Sequence, residues 1–277
     1  MPFPVIAIML FSASLSASWN AVIKGAENKL YMTILMTGTA GLLGALALPF
    51  LARPAPAAWP FIIASAACSV GYYAVVAKAY HVADLSQTYP IMRGTAPMLV
   101  ALTSWMVIGE RLSGPAWVGV ALISSGILCM AASSLRSRAA GIGLALTNAV
   151  LIACYTLIDG LGVRRSGTPV SYCLWVYVFT SVPLLAWACA SGRAEFLRYA
   201  ARRRYLGLGG GAVAIAIYVT TLWAMTVAPV AIVAALRETS ILFAVALSAL
   251  VLKEPVGLRR VAMVCAIASG VMVLRLA

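Results

Sequence analysis

Two arginines, Arg93 and Arg237, lie 144 residues apart, each near the middle of an apolar segment long enough to cross a bilayer. A charge at that depth is costly unless it faces a partner, a cavity or a ligand. A guanidinium offers a planar fork that grips a carboxylate or phosphate through two parallel hydrogen bonds. The chemistry on offer is therefore recognition of an anionic group inside a membrane. Lys78 adds a third basic residue, set against the acids Asp84, Asp159 and Glu238. That balance favours a substrate carrying a carboxylate, phosphate or phosphonate, and zwitterions such as amino acids are compatible with it.

The competing reading is a set of structural ion pairs. Arg237 with Glu238, or Arg93 with Asp84 or Asp159, would neutralise the arginines without a ligand. Neighbouring helical residues point about 100° apart, so an Arg237–Glu238 pair requires a bend. Ser104 and Ser248 follow the arginines by eleven residues each, three helical turns, and so share their faces. Tyr89 stands before Pro90, and Pro97 follows in the same span. Proline frees a carbonyl and bends a helix, which opens backbone to a cavity or simply aids packing. Lys78, behind Tyr72 and Tyr73, is near enough to a span end to snorkel to the interface. Glu110 and Glu254 close their spans and have Arg111, Lys253 and Arg259 nearby as structural partners.

The elements that must carry these residues are transmembrane helices. Of 277 residues, 63% are hydrophobic and 10% charged, and the mean hydropathy is +1.00. The apolar stretches run about 20 residues, the length that crosses the hydrocarbon core, and they lack the alternation of a barrel strand. Ten spans are expected, at approximately 3–23, 30–52, 58–80, 84–108, 115–133, 140–159, 170–190, 205–227, 229–252 and 257–275. The formal net charge of +13 comes from Lys and Arg in short loops, where they set topology, and not from a nucleic-acid surface. Arg202, Arg203 and Arg204 suit anionic lipid headgroups. Six scattered cysteines without a C-x-x-C, and a single histidine, His81, leave no metal site, disulfide framework or cofactor to expect. Met1 to Ala21 lacks a basic n-region and is read as a retained first span.

The chain also repeats itself. Residues 93–127 align without gaps on 237–271, and nine of these 35 positions are identical: Arg93, Thr95, Ser104, Val107, Glu110, Val120, Ile123, Ser125 and Gly126. The halves, 1–133 and 140–277, hold five spans each. An odd number per repeat forces opposite insertion, with a pseudo-two-fold axis in the membrane plane. The expected fold is all-α and integral to the membrane, ten transmembrane helices as two inverted five-helix repeats. Loops after spans one, five, seven and nine carry twelve basic residues against five on the other side, which places the first group in the cytoplasm and both termini outside.

Several motifs resemble the drug/metabolite transporter superfamily in its ten-helix EamA-like branch. Val107-Ile108-Gly109-Glu110 and Val251-Leu252-Lys253-Glu254 are similar to that family's Leu-Gly-Glu signature. Leu236-Arg237-Glu238-Thr239 opens span nine as in some members, and Trp19-Asn20 resembles a first-span position. The resemblance covers the whole chain. It implies two inverted repeats around a central substrate cavity, and substrates ranging from amino acids to sugars, nucleotide sugars and drugs. Cytoplasmic termini in many members conflict with the charge count. The expectation is a secondary transporter, not an enzyme, moving a small organic metabolite by alternating access. It would act as a monomer or homodimer in the bilayer, in the inner membrane if the source is bacterial. Arg93, Arg237, Lys78, Tyr89, Ser104, Ser248, Trp19 and Asn20 are its substrate-binding candidates. Glu238, Asp84, Asp159, Pro90 and Pro97 are candidates for coupling or gating. Two alternatives remain: proton-coupled efflux of cationic drugs, and a membrane enzyme acting on lipid.

Overall fold

Lipid offers no hydrogen-bond partner, so each span must satisfy its own backbone. The computed structural model, which describes residues 3–82, 85–132, 139–251 and 257–276, is helical throughout its spans. In chain order the helices are α1 (Phe3–Lys24), α2 (Lys29–Ala47), α3 (Trp59–Val82), α4 (Leu85–Thr103), α5 (Gly114–Ala132), α6 (Ala139–Ser166), α7 (Pro169–Arg202), α8 (Arg204–Val227), α9 (Val230–Arg237), α10 (Ser240–Val251) and α11 (Leu258–Leu276). A π turn, Ser104–Ile108, extends α4, and α9 with α10 makes the ninth span. Eight spans meet the length and apolarity of a membrane crossing, and Gly114–Cys129 and Val261–Leu276 are shorter apolar helices. The chain is an integral, multi-pass, all-α membrane protein. Asp84, Lys253, Glu254 and the junction 133–138 lie outside the described residues, as do the side chains of His81, Ser248, Arg259 and Arg260.

Two spans are longer than expected. The sixth runs to Ser166 instead of 159. The seventh continues to Arg202 through a kink at Gly192, where the stretch from Gly192 to Arg204 reads as a loop from its charge. The reason is amphipathicity. Phe196, buried, packs its ring 5.5 Å from that of Tyr31, and Tyr199, one turn on, lies 5.8 Å from the same ring. Arg193, Arg198 and Arg202 are exposed around that stripe, so one buried stripe holds a strongly basic helix in place.

Contacts between chain segments sort the span ends into two groups. At one end Arg203 meets Glu27 at 3.7 Å, and the Tyr199 hydroxyl donates to the Asn28 carbonyl at 3.3 Å. At the other, Ser171 donates to the Ala52 carbonyl at 2.6 Å, and the Ala55 amide to the Ser166 carbonyl at 3.1 Å. Loops after spans one and seven are together, and so are loops after spans two and six, as alternate crossings require.

Several helix contacts recur when the spans are shifted by five. Advancing each span by five turns α1–α8 into α6–α3, α1–α10 into α6–α4, and α2–α8 into α7–α3, and all six pairs are in contact. The pairs α2–α7 and α5–α11 map onto themselves, so the pseudo-axis passes through both. The α5–α11 seam is tight for a sequence-visible reason. A Cβ at Gly126 would lie 2.9 Å from Ile267, and one at Gly270 would lie 2.9 Å from the Gly119 carbonyl. These glycines are the repeat-equivalent pair, and small residues let membrane helices approach closely.

Candidate functional site

The two arginines converge on one carboxylate. Arg93, on α4, brings Nε to 2.7 Å from Oε2 of Glu238, and its Nη2 donates to Ser240 Oγ at 3.3 Å. Arg237 places Nε 3.6 Å from Oε1 of the same Glu238. The side chains are 13% exposed for each arginine and 1% for the glutamate. Each guanidinium also faces an aromatic ring: Arg93 over Tyr89 at 5.8 Å, Arg237 over Tyr155 at 5.7 Å. Such contacts strengthen away from water. The triad holds two positive charges and one negative.

Local backbone irregularity makes this meeting possible. α9 stops at Arg237. The Glu238 amide donates to Ala235 O and the Thr239 amide to Leu236 O, both at 3.1 Å, and Thr239 Oγ1 donates to Leu236 O at 2.6 Å. These three-residue bonds tighten the turn, and α10 resumes at Ser240. The bend brings the adjacent Arg237 and Glu238 side chains together. On α4, Pro97 has no N–H to offer the Arg93 carbonyl four residues earlier. Irregular backbone inside a membrane is tolerated only when buried in protein or lining a cavity, and Glu238, Thr239 and Ser240 are all buried. Neither Glu238 oxygen, nor Nε of either arginine, makes an aligned hydrogen bond among the described residues. Ion-pair contact at 2.7 and 3.6 Å is what holds these atoms.

The other candidates are spread around this centre. Tyr89 belongs to it. Pro90 and Pro97 are buried in α4. Ser104 is fully buried, and its hydroxyl donates to Ala101 O at 3.2 Å within its own helix. Lys78 is exposed near the end of α3. Trp19 lies on Gly210 of α8, where a Cβ would collide with the indole, and Asn20 is half-buried.

Arg93 pairs with Glu238, a partner 145 residues away in sequence, and Asp159 does not neutralise it. Asp159, 1% exposed, instead accepts from the Tyr172 hydroxyl at 3.2 Å and the Tyr218 hydroxyl at 2.5 Å. Ser65 Oγ is 3.5 Å from the Tyr218 hydroxyl. Glu110 likewise takes a distant partner in place of its neighbour Arg111; the other expected partners, Lys253 and Arg259, have side chains outside the described residues. Its Oε1 accepts from Arg164 at 2.8 Å, and its Oε2 from the Val230 amide at 3.0 Å. A carboxylate thus caps the N-terminus of α9, and Gly109 at φ 75° supplies the left-handed turn that aims it there. Arg164 also donates to Met225 O at 2.8 Å and Ala228 O at 3.0 Å, closing the C-terminal end of α8. Tyr155 and Arg164 carried no local signal in the sequence. Charge periodicity along α6 would have found Arg164 only if its helix had been extended to Ser166.

Residues 139–276 match the EamA-like transporter family. The protein is a membrane transporter of the drug/metabolite type. A solved structure, described only as the crystal structure of a protein, superposes on the transporter with a TM-score of 0.76. It covers 99% of this chain and 98% of its own length at 18% identity, a likeness that speaks for the fold alone. No curated protein matches the transporter's sequence.

Proposed function

We propose that the transporter is a secondary carrier that moves a small anionic or zwitterionic metabolite by alternating access between its two repeats, and that Arg93, Arg237 and Glu238 receive the substrate's charged pole. One observation carries this reading. Arginines from the two symmetry-related spans meet on a single buried carboxylate, which leaves an excess positive charge within the triad. A substrate carboxylate, phosphate or phosphonate is attracted to that local excess. Arg237 is the better placed to take it, because its 3.6 Å contact with Glu238 is looser than the 2.7 Å contact of Arg93. Tyr89 and Tyr155 frame the pole with aromatic walls, which suits an organic substrate with some apolar body.

Efflux of cationic drugs needs an exposed central acid. The acid at this centre is flanked by two guanidiniums, which repel a cation, so the anionic reading is preferred. Chemistry on lipid has no support in the centre either: the triad presents charge for recognition and no nucleophile.

The test is ligand stabilisation of detergent-solubilised protein against defined pools of amino acids, short carboxylates, alkyl phosphonates and quaternary amines. A ligand raises the melting temperature in proportion to the logarithm of its concentration over its dissociation constant. Stabilisation by an acidic or zwitterionic pool, lost in Arg237→Gln, supports the reading. Stabilisation by the amine pool alone overturns it.

A further inference from the structure

Asp159 stands apart from the triad yet within its electrostatic reach. It lies on α6 one turn beyond Tyr155, and residues four apart share a helix face. Tyr155 is the residue whose ring faces Arg237, and the Asp159 carboxylate interacts with the Arg237 charge. No Lys or Arg comes within ion-pair distance of Asp159 among the described residues. Its oxygens are held by neutral hydroxyls, those of Tyr172 and Tyr218, with Ser65 beside them. The groups facing it are Ser65 and Cys68 from α3, Tyr172, Cys173 and Tyr177 from α7, Tyr218 from α8 and Arg237 from α9. Phenols and thiols keep their protons at physiological pH. Arginine keeps its charge throughout. Asp159 is therefore the member of this group able to change charge.

The charge count of the interior gives that change a purpose. Among the described residues of the centre, Arg93 and Arg237 supply two positive charges, and Glu238 and Asp159 supply two negative. An ionised Asp159 closes the count. A substrate carboxylate arriving at Arg237 adds one uncompensated negative charge in a place where net charge is expensive. A proton on Asp159 restores the balance.

We infer that Asp159 is a proton-binding site coupled to the substrate site, so that one proton travels with each net negative charge of substrate. The inference rests on the anionic-substrate reading above. Substrate binding from the open side is accompanied by uptake of one proton from water onto an Asp159 carboxylate oxygen. The Tyr172 and Tyr218 hydroxyls can serve either state, as donors to the carboxylate or as acceptors from the acid. Release of substrate on the opposite side returns the carboxylate to its ionised form and delivers the proton there. A protonated Asp159 with no substrate, or the reverse, leaves the interior charged, which disfavours the conformational exchange and makes the two movements obligatory partners.

The first experiment uses no substrate. Infrared difference titration of the full-length protein in detergent reads the carbonyl band of a protonated carboxylic acid as pH is lowered. The expected result is a band that Asp159→Asn removes and Glu110→Gln leaves in place. Tyr218→Phe keeps the carboxylate and covers the case in which the asparagine variant does not fold. It should displace the band's midpoint by about one pH unit, as loss of a hydrogen bond to a charged group does. A band unchanged by both Asp159→Asn and Tyr218→Phe overturns the inference.

The second experiment uses proteoliposomes and a radiolabelled equimolar pool of short carboxylates, each of which carries net negative charge. A gradient acid on the side of addition should drive accumulation in the wild type. Asp159→Asn should retain counterflow exchange, which needs no net proton movement, and lose gradient-driven accumulation at least tenfold. Equal accumulation by variant and wild type overturns the coupling. Failure of the substrate reading looks different: Arg237→Gln would then keep counterflow while the infrared band still titrates.

Discussion

Arg93 and Glu238 form the tightest charge contact in the molecule's centre, at 2.7 Å, and Glu238 is the residue that follows Arg93's own counterpart in the repeat. The second half thus supplies both an equivalent arginine and the carboxylate that the first arginine uses. The first half has Gly94 where the second has Glu238, so the charge centre is symmetric in its cations and asymmetric in its anion. The two arginines are therefore expected to do different work.

Arg237→Gln should leave the Arg93–Glu238 pair intact, lower stability little, and weaken binding of an anionic ligand by about 2–5 kcal/mol. Arg237→Lys should rescue only partly, since ammonium lacks the planar fork. Melting temperature and counterflow, measured on the same preparations, separate the effects. Normal counterflow in Arg237→Gln would remove the arginine from the site.

Glu238→Gln strands two buried guanidiniums at once. Breaking a buried pair by removing one partner costs about 3–5 kcal/mol, so a large fall in melting temperature is expected. Adding Arg93→Gln should recover part of it, because the two side chains are coupled. Equal and additive losses in the two single variants would show that they do not share an interaction.

Arg164 ties Glu110 to the carbonyls of Met225 and Ala228. Arg164→Ala removes all of these bonds together, and each buried group left unsatisfied costs about 1–3 kcal/mol. Its loss of thermal stability should exceed that of Arg165→Ala, whose guanidinium faces the Phe61 ring. Parity between the two would mean that the knot contributes nothing.

Gly210→Ala sets a methyl against the Trp19 indole. Overpacking of this kind costs about 1–3 kcal/mol. Trp19→Phe in the same chain should relieve it, and the double-mutant cycle measures the coupling. A stable Gly210→Ala protein that gains nothing from Trp19→Phe would show that the indole moves aside freely.

The basic bias places the helix end at Arg202 to Arg204 in the cytoplasm, together with the Glu27 loop it contacts. A single cysteine at Arg204, in a background cleared of the six natural cysteines, should react with an impermeant thiol reagent only after the membrane is opened. Reaction in intact cells would reverse the orientation.

The all-α, multi-pass membrane class was legible because lipid imposes one rule on every span, and a run of about 20 apolar residues is enough to see it. The arginines stood out for the same reason. Glu238 as their shared partner was hidden. The break between α9 and α10 contains neither proline nor glycine, and on an unbroken helix Arg237 and Glu238 diverge. Tyr155 is one aromatic residue in an apolar helix, with nothing nearby to distinguish cavity from packing. Glu110 drew its expected partners from sequence neighbours, whereas the fold brings Arg164 from another span. The segment 193–202 read as a loop because its charges mask a stripe of only Phe196 and Tyr199.

The seam between α5 and α11 has a further meaning. Gly126 and Gly270 face each other's helix, and in the proposed alternating-access cycle a line that the exchange of repeats leaves in place need not shift when inward and outward forms trade places. On the proposed mechanism the seam is an axle. Movement then falls to the helices away from it, and foremost to the two that carry Arg93 and Arg237, where two prolines on one side and a two-residue break on the other cut the stiffness of the rod.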